Sequence, residues 1–143
     1  MYSLLIMLMA LGARLAALFN HKIALMVNGH RNTWRRLRQL RGTDEYVWFH
    51  AASLGEFEQG RPLMERLRRQ HPEQKILLTF FSPSGYEVRK NYDGADLILY
   101  LPFDTPLNAR RFIKLARPKA AYFIKYEFWR NYMDTLHHRG IPC

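Results

Sequence analysis

The sequence predicts an α/β fold built on a Rossmann-like parallel sheet, and two observations lead to this prediction. From about residue 44 onward, short apolar runs alternate with amphipathic stretches, which is the order of strands and crossover helices in a parallel sheet. The apolar runs are continuous and do not alternate with polar residues, as expected of strands covered on both faces. An open α/β sheet of this kind binds ligands beyond the carboxyl ends of its strands.

Each element follows from its local pattern. Strands are expected at Tyr46–Ala52, Lys75–Phe81, Asp96–Leu101 and Ala120–Tyr126, and residues 141–143 have the composition of a fifth strand that is just beginning. Helices are expected at Glu56–Gln70, Pro83–Tyr92, Pro106–Ala116 and Phe128–Arg139, with proline or glycine at several of their ends. Because a domain rarely ends at the start of a strand, we expect this domain to be truncated.

The charge pattern divides the chain at residue 43. The net charge is +10, but residues 1–43 contain seven Lys or Arg and no acid, whereas residues 44–143 contain fifteen bases and twelve acids. A nucleic-acid-binding domain would carry basic residues over its folded part, so we expect no nucleic-acid partner. A basic cluster beside an apolar segment is typical of contact with anionic lipid. The residues expected to make this contact are Arg31, Arg35, Arg36, Arg38 and Arg41.

The apolar segment at residues 1–19 leaves three interpretations open: a membrane-associated helix, a cleaved signal peptide, and a helix packed on the protein's own core. Arg14 is its only charged residue, and the segment is marginal in length for a complete span. The basic residues follow the apolar stretch, whereas a signal peptide carries them before it, and this order favours the membrane-associated helix. Trp34 fits either the headgroup level of a bilayer or the edge of the core.

The sequence lacks the residues that disulfide bonds and common metal sites require. Cys143 is the only cysteine, so neither a disulfide framework nor a cysteine-rich metal site can form within one chain. His137 and His138 are adjacent on a predicted helix and point in different directions, which makes a poor metal site. We therefore expect no metal and no cofactor.

The first candidate site is the segment from His50 to Glu56, where a strand turns into a helix. Gly55 permits close backbone approach, and the following helix N-terminus offers unpaired N–H groups with a partial positive charge. Glu56 suits a general base that takes a proton from a hydroxyl group, but a glutamate there also fits a simple helix cap. His50 lies in an apolar run and is interpreted as a hydrogen-bonded core residue.

Two further segments follow other strands. Ser82 can cap a helix that has Pro83 at its first position, and Ser84 and Gly85 would then lie close to a ligand. Glu127 falls at the end of a buried strand, where an acid is costly unless it is paired or functional. Trp129 could line a pocket beside it, although a capping glutamate next to a core tryptophan explains the same pattern.

Taken in order, these segments resemble the family of 3-deoxy-D-manno-octulosonic acid (Kdo) transferases of lipid A and lipopolysaccharide biosynthesis. The resemblance includes the apolar and then basic N-terminus, and it covers about the first third of a complete family member. Lys125 and Arg130 depart from the family pattern around its Glu-Phe-Trp motif. The matching motifs are His50-Ala51-Ala52-Ser53-Leu54-Gly55-Glu56, Ser82-Pro83-Ser84-Gly85, Tyr100-Leu101-Pro102-Phe103-Asp104, Glu127-Phe128-Trp129 and Arg139-Gly140-Ile141-Pro142.

The resemblance implies the N-terminal domain of a GT-B glycosyltransferase, incomplete here and preceded by a membrane-associated helix. Residues 1–43 would be the membrane-associated segment and residues 44–143 the acceptor-binding domain, on the cytoplasmic face of the bacterial inner membrane. It implies Glu56 as the general base, a lipid A precursor as acceptor, and CMP-Kdo as a donor held by a second domain that this chain lacks. We therefore expect the chain alone to transfer no sugar. The acceptor-binding residues would be Ser53, Gly55, Ser82, Ser84, Gly85, Glu127 and Trp129.

A different class of function is also open from the sequence. Residues 1–41 combine an apolar segment with a basic cluster, which would suit a module without catalytic activity that binds anionic lipid at a membrane surface. The two hypotheses differ in the role they give to Glu56.

Overall fold

The computed structural model describes residues 1–125 and 128–143, and a four-stranded parallel sheet forms its centre. The strands lie in the order β3-β2-β1-β4, and every neighbouring pair is parallel. This is the first part of the order 3-2-1-4-5-6 found in Rossmann folds, so the predicted fold class is confirmed. The strands are β1 (Tyr46–Ala51), β2 (Lys75–Phe80), β3 (Leu97–Tyr100) and β4 (Pro118–Phe123).

Helices cover both faces of the sheet. Trp48 on β1 packs on one face against Phe112 and Tyr132, which belong to α5 and α6. The next residue, Phe49, contributes to a second core on the opposite face together with Phe57 of α3. The helices are α1 (Tyr2–Ala16), α2 (His21–Arg38), α3 (Leu54–Gln70), α4 (Pro83–Arg89), α5 (Pro106–Ala116) and α6 (Arg130–His138).

The predicted boundaries differ from the structure mainly around β4. This strand begins at Pro118, which is tolerated as the first residue of a strand, and it ends at Phe123. Lys125 has a φ of 67°, a left-handed conformation that does not belong to a strand. Residues 141–143 form no strand, so that expectation is wrong as stated. The segment does lie beside β4, because the Ala121 N–H donates to the Pro142 carbonyl at 2.9 Å.

Helix α2 covers the outer edge of β3, which would otherwise expose unpaired backbone groups. The Thr33 hydroxyl donates to the Tyr100 carbonyl at 2.8 Å, and the Arg36 guanidinium donates to the Ile98 carbonyl at 2.9 Å. Gly29 allows this close approach, since a Cβ there would overlap the Tyr100 ring. The N-terminal 43 residues therefore include part of the packed domain and are not only an appended segment.

Helix α1 leaves its apolar side chains exposed. None of its residues is buried, and Leu4, Leu8, Leu11 and Leu15 are each more than half exposed. Its first residues are nevertheless fixed to the domain. The Tyr2 hydroxyl donates to Asp104 Oδ2 at 2.6 Å, and the Ser3 hydroxyl donates to Asn131 Oδ1 at 3.3 Å.

In residues 1–125 and 128–143, no single helix has both the length and the apolar composition needed to cross a bilayer. Helices α1 and α2 meet that criterion only when taken together, and they are bent by 116° at the break between them.

Replacing each of two helix glycines with alanine should change the free energy of unfolding in opposite directions. Gly29→Ala should lower the free energy of unfolding by about 2 kcal/mol, because the new methyl group overlaps the Tyr100 ring. Gly12→Ala should raise it by up to about 1 kcal/mol, because nothing lies within 4 Å of the added Cβ and alanine favours the helix. Urea unfolding followed by tryptophan fluorescence measures both. Equal effects of the two substitutions would contradict the tight contact between α2 and β3.

Candidate active site

The loops after β1 and β2 meet at the carboxyl edge of the sheet. The Ala52 carbonyl accepts hydrogen bonds from the N–H groups of Phe81 and Ser82, at 3.3 and 2.8 Å. Gly85 lies directly beneath this junction, since a Cβ there would overlap Phe80 and come within 3.1 Å of the Ser53 carbonyl carbon. The segments 53–56 and 82–85, which are far apart in sequence, therefore form one site.

Glu56 is held at this site by its neighbour Ser53. Ser53 is the N-cap residue of α3 by position, but its side chain makes no capping bond to the backbone. Its hydroxyl donates instead to Glu56 Oε2. Glu56 is half-buried and Gly55 is exposed, with no atom closer than 3.9 Å to a Cβ placed on it. The carboxylate is thus oriented beside open space, as a general base requires, and it also lies in the first turn of α3, where an acid favours the helix dipole.

Ser82 and Ser84 form the opposite wall of the site. Ser82 Oγ accepts the Ser84 N–H at 3.2 Å and caps α4, which begins at Pro83 as the sequence predicts. The two hydroxyl oxygens lie 3.0 Å apart. Ser84 is exposed, so its hydroxyl is accessible to a ligand.

His50 is a buried core residue at the end of β1, as interpreted from the sequence. Its Nδ1 lies 2.8 Å from Thr79 Oγ1, which also accepts the indole N–H of Trp48 at 2.8 Å. Burial lowers the pKa of His50 to about 3, so the imidazole is neutral at pH 7. Its Nε2 is buried without a hydrogen-bond partner among the described residues.

A row of aromatic rings leads away from His50. The Trp129 ring lies 5.0 Å from the rings of both His50 and Phe81, and Phe81 lies 5.6 Å from Phe103. Phe103 in turn is 5.1 Å from His30 on α2. Trp129 therefore lies beside the end of β1 and the residue that follows β2, whereas Glu127 lies outside the described residues. Phe81 and Phe103 were not predicted as site residues, although Phe81 ends a predicted strand and Phe103 lies in a motif that matches the family.

The predicted lipid-contact residues fall into two groups. Arg31, Arg35, Arg38 and Arg41 are exposed, whereas Arg36 is half-buried and bonded to the Ile98 carbonyl. Trp34 packs against the core, with the Arg111 guanidinium 4.6 Å from its ring centre. Of the two interpretations of Trp34, the structure agrees with the core edge.

The surroundings of Glu56 limit the chemistry that this site can support. Among the described residues, no basic side chain lies within ion-pair distance of Glu56, and no group of three or more His, Cys, Asp or Glu is positioned to hold a metal. An oriented carboxylate without a basic partner among the described residues is suited to accepting a proton.

These features define an α/β protein with a candidate ligand site at the carboxyl edge of an open parallel sheet. Residues 25–143 match the family model described as 3-deoxy-D-manno-octulosonic-acid transferase (Kdo transferase). The chain belongs to this family, which is a family of glycosyltransferases.

Curated relatives agree with this assignment. The 3-deoxy-D-manno-octulosonic acid transferase of Aquifex aeolicus is 42% identical over 84 residues, which are 58% of this chain and 23% of the relative. The enzyme of the same name from Haemophilus influenzae is 35% identical over 97 residues, which are 67% of this chain and 23% of the relative. The matched part of this chain thus spans about a quarter of the length of these relatives.

The buried histidines should make the protein less stable in mild acid. The pKa of His50 is lowered to about 3 and that of His30 to about 4, mainly by burial, whereas the unfolded chain takes up these protons near 6.5. The unfolded state therefore binds more protons between these values, and the free energy of unfolding should fall as the pH drops below about 6.5.

His50→Asn should reduce this pH dependence, because asparagine can still bond Thr79 but cannot be protonated. The slope of unfolding free energy against pH, measured by urea titration between pH 6.5 and 4.5, should decrease by up to about 1.4 kcal/mol per pH unit. The same substitution at the exposed His71 is the control and should leave the slope unchanged. An unchanged slope in His50→Asn would contradict a neutral, buried His50.

Proposed function

We propose that this chain is the acceptor side of a GT-B glycosyltransferase that transfers Kdo from CMP-Kdo to a lipid A precursor on the cytoplasmic face of the bacterial inner membrane. The observation that carries the proposal is the Glu56 carboxylate, which Ser53 orients beside the Ser82–Gly85 turn. A second domain, which these residues do not include, holds the donor. The chain alone transfers no sugar.

The reaction is a direct displacement at the anomeric carbon of the donor. Glu56 accepts the proton of an acceptor hydroxyl, the oxygen forms a bond to the anomeric carbon, and the bond from that carbon to the CMP phosphate oxygen breaks. CMP leaves with the electron pair of this bond. The Ser53 hydroxyl fixes one carboxylate oxygen, which leaves the other oxygen to take the proton.

The neighbouring groups support this assignment. His50 has a pKa of about 3 because it is buried, so it is a far weaker base at neutral pH than a typical catalytic histidine. The half-buried Trp129 and Phe81 rings offer apolar faces on which a sugar ring can rest. Ser84 supplies a hydrogen-bonding group on the other side, and Glu127 is the second acid of the acceptor site by family resemblance.

Replacing the proposed base should abolish transfer. The test uses a chimera in which residues 25–143 replace the matching region of the Aquifex aeolicus relative, so that a donor domain is present. Glu56→Gln should lower kcat by at least about 100-fold, the usual contribution of a general base, with little change in KM. Transfer of Kdo from CMP-Kdo to a lipid A precursor is measured by mass spectrometry.

Glu65→Gln is the matched control, since Glu65 is exposed on the same helix and pairs only with Arg61. It should retain activity. The melting temperature of the isolated Glu56→Gln chain should equal that of the parent, which excludes a folding defect. A well-folded Glu56→Gln chimera that transfers Kdo at the parent rate would overturn the assignment of Glu56 as the base.

Helix α1 is proposed to hold the protein at the membrane. Its leucines are exposed along its length, and α2, the next helix in the chain, carries exposed arginines in its second half. Burial of apolar side chains in a bilayer, together with attraction between arginine and anionic lipid, provides the binding free energy.

Removing two of these leucines should release the protein from membranes. Leu8→Gln combined with Leu11→Gln should weaken binding to vesicles of phosphatidylcholine and phosphatidylglycerol by at least about tenfold, since each buried leucine contributes about 1.5–3 kcal/mol. Vesicle flotation measures this. The control pair, Val88→Gln with Leu107→Gln, replaces exposed apolar residues on α4 and α5 and should bind normally. Equal binding of both pairs would disprove the role of α1.

A further inference from the structure

Helix α6 begins after a residue that cannot cap it. Trp129 occupies the N-cap position, and its side chain makes no capping bond. The preferred N-cap residues are Ser, Thr, Asp and Asn, because their side-chain oxygens accept hydrogen bonds from the first N–H groups of the helix. An indole carries an N–H donor and no acceptor. The first turn of α6 therefore needs an acceptor from elsewhere in the chain.

Asp104 supplies this acceptor from a different segment. It lies between β3 and α5, and only 1% of it is exposed. Its Oδ2 accepts the Asn131 N–H at 3.2 Å, and its Oδ1 accepts the Tyr132 N–H at 3.1 Å. These are the second and third residues of α6, whose N–H groups an N-cap side chain normally binds. Asp104 thus performs the capping role that Trp129 cannot perform.

Further hydrogen bonds hold the Asp104 loop and the start of α6 together. The Asn131 side-chain amide donates to the Asp104 carbonyl at 2.6 Å, and the Tyr132 hydroxyl donates to the Pro102 carbonyl at 2.9 Å. The Tyr2 hydroxyl is a third donor to the carboxylate, at 2.6 Å. In the part of the chain that the structure describes, no basic side chain forms an ion pair with Asp104. Because a buried charge is costly unless it is paired or hydrogen-bonded, the carboxylate depends on these donors as they depend on it.

We propose that Asp104 is a positioning residue for the acceptor, because by capping α6 from outside the helix it fixes the Trp129 ring at the candidate active site. The ring lies 5.0 Å from the rings of His50 and Phe81, and it belongs to the residue from which the capped helix begins. A local cap at position 129 would place a short polar side chain there, whereas the external cap allows a large aromatic ring. The inference rests on the proposed function, in which Trp129 offers an apolar face to a sugar ring.

The test replaces two neighbouring caps in the complete 143-residue chain. Asp104→Asn keeps the size of the side chain but exchanges one acceptor oxygen for an NH₂ donor. Thr105→Ala is the matched control, because Thr105 Oγ1 caps a different helix, α5, by accepting the Asn108 N–H at 3.2 Å. Since each substitution removes a helix cap, each should lower the melting temperature by about 2–8 °C.

The position of Trp129 separates the two variants and is followed by fluorine NMR of the chain labelled with fluorinated tryptophan. Its signal is assigned with Trp129→Phe. Asp104→Asn should shift or broaden the Trp129 signal, and Thr105→Ala should leave it unchanged. An unchanged signal in Asp104→Asn, or equal changes in both variants, would overturn the proposal.

A measurement on the unaltered chain decides the case in which Asp104→Asn does not fold. The backbone amides of Asn131 and Tyr132 should exchange with solvent deuterium at least about tenfold more slowly than in an unstructured chain, because the Asp104 carboxylate binds both. Exchange of these two amides at the unstructured rate would contradict the cap.

The consequence for the acceptor is measured in the chimera that contains a donor domain. Asp104→Asn should raise KM for the acceptor by about tenfold or more and change kcat by less than about twofold, the pattern of lost ground-state binding. Thr105→Ala should keep the parent KM. A displaced Trp129 signal with an unchanged KM would overturn the role toward the acceptor. A parent chimera that transfers no Kdo would overturn the proposed function instead, and the fluorine signal would still decide whether Asp104 positions Trp129.

Discussion

All six residues of β1 are buried, and the arrangement of the site depends on this strand. Trp48 and Phe49 enter opposite cores, so the strand can neither slip nor tilt without disrupting both layers. Its carboxyl end is tied to β2 through the Ala52 carbonyl. The positions of Ser53 and Glu56 are thereby fixed relative to Ser82 and Gly85 before any ligand binds, which is the preorganisation that a catalytic carboxylate requires.

The same strand explains why a glutamate and not a histidine is the proposed base. His50 points into the core, where burial disfavours the imidazolium and lowers its pKa to about 3. Glu56 lies six residues later, on the first turn of α3, where it is only half-buried and has a hydroxyl donor. Two residues close in sequence therefore have opposite chemical characters because one lies inside the sheet and the other beyond its edge.

The family resemblance implies that the Ser82–Gly85 turn lines the same site as Glu56, whereas the sequence itself predicts the fold from local patterns and points to the Glu56 turn by the rule that ligands bind beyond the carboxyl ends of parallel strands. The sequence does not predict contacts between distant residues that have no periodic pattern. The bond from Thr33 to the Tyr100 carbonyl joins residues 67 positions apart, and Trp34 packs on the core because α2 approaches β3 at Gly29. The end of β4 was misplaced because a positive φ at Lys125 has no signal in a lysine side chain.

Asp104 links helix α1 to the candidate site. It is buried, and it accepts the N–H groups of Asn131 and Tyr132 at the start of α6 as well as the Tyr2 hydroxyl of α1. One carboxylate therefore fixes the first turn of α1 against the helix that follows Trp129. Because α1 is held in this way, the proposed contact of its leucines with a bilayer would also set the direction of the aromatic row and of Glu56 relative to the lipid surface. For the proposed reaction on a lipid headgroup, this fixed orientation would lower the entropic cost of positioning the acceptor.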